Sequence, residues 1–175
     1  VWMGEILFRT KLSENLFEGL APWLQKLPGG LIHVNVVGCA LFAAISGSSA
    51  ATVATVGKMS IPELRKRKYP EKILLGSLAG SGTLGLLIPP SIILIIYGVT
   101  VQESIAKLFI AGIIPGIMIA LIFMGYVIIW SLLNKNKMPL TEENYSFLNK
   151  LSKSKQLIPV ILLILGVIGS IYTCL

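Results

Sequence analysis

Four stretches of this chain, Leu27 to Gly57, Ile73 to Gln102, Leu108 to Asn134 and Gln156 to Leu175, contain no Asp, Glu, Lys or Arg. Each reaches the roughly 20 residues a helix needs to cross bilayer hydrocarbon. A backbone in lipid must pair its own polar groups, and a helix does so within one segment. A secretory leader would show one short apolar run followed by polar sequence, which is not the pattern here. The chain is 54% hydrophobic and 13% charged, against roughly a quarter charged residues in soluble domains. An all-α, multi-pass integral membrane protein is expected.

The net charge of +7 does not point to nucleic acid, because the basic residues gather beside apolar stretches, at Lys58 to Lys72 and at Lys135 to Lys155. That distribution marks cytoplasmic flanks. Cys39 and Cys174 both lie inside apolar runs, so neither a disulfide framework nor a thiolate metal site is expected. Val1-Trp2 opens in an apolar context and Leu175 falls within a membrane segment, so the chain reads as part of a longer protein.

From Arg9 to Leu27, apolar Leu12, Leu16, Leu20, Trp23 and Leu24 alternate with Lys11, Glu14, Glu18 and Gln25. The spacing suits a helix along the membrane surface, interrupted near Pro22. Residues 1–26 are thus expected to be the end of a scaffold segment and an interfacial helix. Residues 27–57 are long enough to span but are broken by Ser46-Gly47-Ser48-Ser49, with Thr52 and Thr55 extending the polarity. A single helix hiding its hydroxyls against a neighbour fits these residues. So does a re-entrant hairpin whose arms stop mid-membrane, and the hairpin puts Lys26 and Lys58 on one cytoplasmic face, as the charge rule prefers.

Residues 58–72 are expected to be a basic cytoplasmic connector. Within 73–102, Gly76, Gly80, Gly82 and Gly85 soften the backbone and Pro89-Pro90 interrupts it. A proline in a helix interior removes a donor and clashes with the preceding turn, costing roughly 3 kcal/mol or more. The spacing therefore predicts a half-helix from Ile73 to about Ser81, a break, and a second half-helix from about Pro90 to Val99. Broken backbone in a membrane is tolerated only where protein, water or ligand pairs it. A break at that depth predicts a binding site, with the negative end of one half-helix and the positive end of the other directed at it. Residues 103–134 read as an ordinary span with Gly112 and Gly116 at a packing spacing and Trp130 as an interfacial anchor. Residues 135–155 read as a cytoplasmic linker or arm helix, and 156–175 as the start of another span.

Gly80-Ser81-Gly82-Thr83-Leu84-Gly85 spells a dinucleotide fingerprint, but the fingerprint must follow a strand and open a helix. Here it precedes Pro89-Pro90 within apolar sequence. His33 is the single histidine, and a packed or interfacial role fits it better than catalysis. There is no Ser, His and Asp set for nucleophilic chemistry, so the chain is not expected to be an enzyme. Asn144-Tyr145-Ser146 matches a glycosylation sequon on the expected cytoplasmic side, where it has no use. The apolar stretches hold no carboxylate, lysine or arginine, groups through which proton-coupled carriers usually route protons. Hydroxyls and broken-helix carbonyls suit a hard, weakly held cation such as sodium.

Ala43 to Gly57 (AAISGSSAATVATVG), Gly80 to Val99 (GSGTLGLLIPPSIILIIYGV) and Ser104 to Gly116 (SIAKLFIAGIIPG) together resemble the large permease, DctM-type, of TRAP transporters. The resemblance covers essentially the whole chain, and IGSIYTCL at its end resembles the segment before the second half of that family's repeat. It implies one half of an inverted-repeat, elevator-type transporter in the bacterial inner membrane, contributing one re-entrant hairpin and one discontinuous helix. By the same resemblance Ser46, Gly47, Ser48 and Ser49 at the hairpin tip, with Gly82, Thr83, Gly85, Pro89, Pro90 and Ser91 at the break, bind sodium and line the substrate cavity, sodium lying at Ser46 to Ser49 and Gly82 to Gly85. The implied partners are a small DctQ-type membrane subunit and a periplasmic DctP-type binding protein. The implied substrate is an organic acid anion such as a dicarboxylate or sugar acid, and no cofactor beyond the coupling ion is implied. Members often carry Pro where this chain has Ala50 and another where it has Ile93, so helix geometry near both sites is expected to differ slightly. A proton-coupled or stand-alone anion carrier of the same broad fold is the alternative.

Overall fold

A computed structural model describes residues 19–135, 138 and 139, together with 158, 161, 162, 165, 166 and 169. Among these residues all regular structure is helical. The expected surface helix from Arg9 falls largely outside them, as do Asn144, Cys174 and most of the last two segments. Residues 19–24 are helical, and Leu20 and Leu24 pack against the core.

Helix α1 (Ile32–Ser46) ends at Gly47, which takes φ 61° and returns its amide to the Ala43 carbonyl. A left-handed residue here suits glycine, which has no Cβ to strain. Ser48 is extended and caps α2 (Ser49–Lys66), its hydroxyl accepting from the Ala51 amide at 3.5 Å. The chain therefore reverses over Gly47 and Ser48. Gly38 of α1 faces Val56 of α2 at 3.7 Å from its would-be Cβ; both lie equally far from Gly47, as an antiparallel hairpin requires.

The second arm is longer than the sequence suggested. Instead of ending near Gly57 it continues to Lys66 and carries Pro62 inside it, so much of the expected connector is helix. Proline costs one backbone hydrogen bond there. Buried Leu64, Ser60 and Val56 hold that face against the protein, and an i,i+4 pair of Glu63 with Arg67 at 2.8 Å supports the last turn. Lys68 at φ 59° and Pro70 then turn the chain.

Helix α3 (Glu71–Gly82) gives way to a 3-10 turn at Thr83–Leu86 and irregular backbone through Ser91, before α4 (Ile92–Val101) resumes. The break expected after about Ser81 begins at Thr83, the second half-helix starts at Ile92 rather than at about Pro90, and the peptide bond between the two prolines is cis. Helix α5 (Ile105–Leu133) follows, with Ser104 as its N-cap and Pro115 inside. Its 29 residues extend about 43 Å, and among the described residues it is the one helix long and apolar enough to cross a membrane. The 15 residues of α1 reach only about 22 Å.

Helix α1 is the centre of the fold, packed against α2, α3, the 3-10 turn and α5. One apolar cluster joins Leu31, Ile32, Val34, Leu64, Ile73, Leu74 and Val127 at the basic end. A second joins Cys39, Phe42, Ile45, Val56 and Leu78 toward the tip. In contrast α4 and α5 expose rows of large apolar residues, among them Ile96, Val99, Ile114, Leu121 and Leu133. Contiguous apolar exteriors of this kind mark a membrane or protein contact.

Candidate functional site

The hairpin turn is seated in the break of the discontinuous helix. The Ile92 amide donates to the Gly47 carbonyl at 3.3 Å, and a Cβ on Gly47 would run into the Pro90 carbonyl oxygen. On the other side of the turn a Cβ on Gly85 would lie 2.8 Å from the Ser49 amide nitrogen and 3.0 Å from the Ser48 carbonyl carbon. A Cβ on Gly82 would overlap Val53 of α2. Glycine at these positions lets main chain meet main chain.

Four helix ends converge here as a result. Helices α1 and α3 bring their carbonyl ends at Ser46 and Gly82, and α2 and α4 bring their amide ends at Ser49 and Ile92. A carbonyl end carries about half a negative charge and an amide end about half a positive one. The site therefore offers partial charge of both signs without an ionised side chain from the tip or the break.

Hydroxyls line the turn. Ser46 Oγ lies 2.9 Å from Thr52 Oγ1 and donates to the Ser48 carbonyl at 3.3 Å. Thr52 Oγ1 donates to the same carbonyl at 2.8 Å and is fully buried with its residue. Ser46, Ser48 and Ser49 are half-buried. Ser91 is buried and donates to the Leu86 carbonyl at 2.7 Å, closing the loop that contains Pro89 and Pro90. Hydroxyl and carbonyl oxygens of this kind are the ligands hard cations take.

A family model for the DctM component of the tripartite ATP-independent periplasmic transporters matches residues 1–175. The chain belongs to this family. Its similarity to the C4-dicarboxylate TRAP transporter large permease protein DctM of Pseudomonas aeruginosa is 39% identity over 97% of this chain and 39% of that one. The ectoine/5-hydroxyectoine large permease UehC of Ruegeria pomeroyi is 33% identical over 99% of this chain and 41% of its own length. The sialic acid permease SiaT of Haemophilus influenzae is 41% identical over 70% of this chain and 20% of its own length. The chain thus spans about two fifths or less of the relatives it matches, all of them named as transporter permeases.

Of the residues the sequence singled out in this DctM-family chain, Ser46 to Ser49 meet Gly82, Gly85, Pro90 and the start of α4 directly. Pro89 is buried beside them. Thr83 is exposed, and its hydroxyl turns back to the Gly80 carbonyl at 2.7 Å. Gly80 and Gly82 belong to the end of a helix, with no strand before them, so the dinucleotide fingerprint has no structural counterpart. His33 is fully buried and contacts the Pro28 carbonyl at 2.8 Å through Nε2, a packed residue as expected.

The sequence shows the polarity of Thr52 without tying it to the hydroxyl cluster, and it gives Asn35, Ser77 and the Ser81 hydroxyl no role. Asn35 Nδ2 donates to Ser77 Oγ at 3.0 Å and to the Leu74 carbonyl at 3.3 Å. A lone amide in an apolar run is the signal that could have raised it. A separate cavity of about 290 Å³, lined by Gly76, Ser77, Ile122, Phe123, Tyr126 and Val127, lies between α3 and α5 and shares no residue with the tip.

Proposed function

We propose that this chain is part of the large membrane subunit of a sodium-coupled, binding-protein-dependent importer of organic acid anions. The observation that carries the reading is the convergence of four helix ends on a hydroxyl-lined turn, with no ionised side chain on the tip or the break. Carbonyl ends and hydroxyls at Ser46, Ser48, Ser49 and Gly82 to Gly85 suit a monovalent cation. The amide ends of α2 and α4, past the Ile92 amide that the Gly47 carbonyl already occupies, suit the carboxylate of a substrate, with Gly47, Pro89, Pro90 and Ser91 shaping the cavity and Thr83 at its edge.

Cation binding neutralises the carbonyl ends and draws the tip and the break together, which prepares the amide ends for the anion. The hairpin is re-entrant, its tip at mid-membrane. It moves with the broken helix as one transport domain against a scaffold, in the manner of an elevator. A small DctQ-type membrane subunit and a periplasmic DctP-type protein complete the assembly in the inner membrane. Relatives named for a dicarboxylate and for sialic acid support an acid substrate, and the family match supports a tripartite carrier.

The test is uptake by the full-length complex in proteoliposomes, with labelled dicarboxylate and sialic acid presented on the binding protein. Uptake should require an inward sodium gradient. Equal uptake when choline replaces sodium would refute the coupling.

A further inference from the structure

Asn35 lies in the first turn of α1, far from the tip, yet it touches the helix that carries the break at two successive turns. Its side chain donates to the Leu74 carbonyl and Ser77 Oγ, and its own carbonyl accepts from Ser81 Oγ at 3.4 Å. The single Ser81 Oγ proton is directed chiefly at the Ser77 carbonyl at 2.6 Å, with the Leu78 carbonyl at 3.3 Å and the Asn35 carbonyl as its weaker acceptors, and Ser77 Oγ donates to the Leu74 carbonyl at 3.0 Å. Leu74, Ser77, Leu78 and Ser81 are spaced three and four apart, so they form one face of α3. Asn35 and Ser81 are fully buried.

We propose that Asn35 is a positioning residue for the ion site: it fixes the register of α3 against the hairpin, so that Gly82 and Gly85 arrive opposite Val53 and Ser49. The inference rests on the sodium-coupled reading of that site. Apolar packing on either side of Asn35, through Leu74 in one cluster and Leu78 in the other, tolerates small slides and rotations. Directional hydrogen bonds in a low-dielectric interior do not. A slip of one residue turns a helix by about 100° and shifts it about 1.5 Å, which would bring a side chain where Gly82 now clears Val53. Ser81 adjoins Gly82, the last residue of α3, so a clamp there acts on the end of the helix just before the break. The amide is not an economical packing choice, since its Oδ1 is buried without a donor among the described residues. A lone polar residue that sets register at a cost in stability has precedent in coiled coils.

Asn35→Leu, Asn35→Asp and Ser81→Ala are compared with wild type in the full-length complex reconstituted in proteoliposomes. The readout is the sodium concentration for half-maximal uptake, normalised to the amount of assembled complex. Asn35→Leu and Ser81→Ala should each raise that concentration about tenfold. In Asn35→Asp burial favours the neutral acid, whose O–H replaces the amide donor, while the ionised form has none. Its sodium requirement should therefore approach wild type as pH falls and worsen as pH rises, a dependence that a purely structural role would not produce. If Asn35→Leu fails to assemble, Ser81→Ala and Asn35→Asp decide alone. A wild-type sodium requirement in the assembled variants, with only the amount of complex changed, would overturn the proposal. Should wild-type uptake prove independent of sodium, the coupling reading fails. The clamp is then judged by amide hydrogen exchange across 80–86, faster in Ser81→Ala if it holds and unchanged if it does not.

Discussion

The amide of Ile92 is bonded to the carbonyl of Gly47 at 3.3 Å, which ties the first residue of α4 to the turn between α1 and α2. Neither group belongs to a side chain, and the segments are far apart in sequence. Gly47 is at φ 61°, and a Cβ there would meet the Pro90 carbonyl oxygen. Gly47→Ala should therefore separate the turn from the break, with a backbone cost of roughly 1–2 kcal/mol before the steric conflict is counted. Uptake by the full-length complex is expected to fall at least tenfold with the protein still inserted, as checked by membrane-fraction immunoblot.

Gly85 and Gly76 make a controlled comparison. A methyl at Gly85 meets Ser49 main chain at 2.8 and 2.9 Å, whereas a methyl at Gly76 meets nothing within 4 Å. Gly85→Ala should cost about 1–3 kcal/mol through overpacking. Gly76→Ala should gain up to about 1 kcal/mol from helix propensity. Thermal unfolding of the purified permease in detergent should move Tm in opposite directions.

Thr52→Val removes a hydroxyl that bridges Ser46 Oγ and the Ser48 carbonyl while nearly preserving shape. The loss should amount to about 1–3 kcal/mol for the buried partners left short, and the sodium needed for uptake should rise. Thr52→Ser keeps the hydroxyl and should retain most of the wild-type sodium response. Equal behaviour of the two variants in a sodium titration of uptake would count against a role for the hydroxyl.

At the opposite end of the hairpin, the Leu31 amide donates to the Tyr69 hydroxyl at 3.2 Å. Burial holds the Tyr69 phenol above its ordinary value of 10.0, with the Leu31 amide and Arg67 pulling the other way. The neutral form is the one the folded state prefers, so this preference is fully present below pH 10 and is lost as pH rises through the higher folded value. The fall in Tm on titration from pH 9 to 11 should be smaller in Tyr69→Phe than in wild type. At pH 8 the same variant should be about 1 kcal/mol less stable, for the lost acceptor.

The turn and the break were legible because they are written in local chemistry. A run of Ser and Gly inside an apolar stretch, and a proline pair, mark a change of backbone wherever they occur. The extent of the elements was less legible. Pro62 looked like part of a connector, but tertiary burial of Leu64 and Ser60 carries α2 past it, and α4 starts at Ile92, two residues after the expected Pro90. Helix capping explains another part of the difference, since Pro70 and Glu71 begin α3 ahead of its apolar run. The Asn35 contacts were hidden for a different reason. They join residues about forty positions apart, and nothing in either segment alone reveals its partner.

Most of what fastens the hairpin to the interrupted helix is peptide backbone, admitted by glycines. Such a joint is indifferent to which hydroxyls or apolar groups look outward from it. Substitutions among those outward groups should therefore leave the junction of the two segments intact, whereas a methyl on Gly47, Gly82 or Gly85 would prise it open.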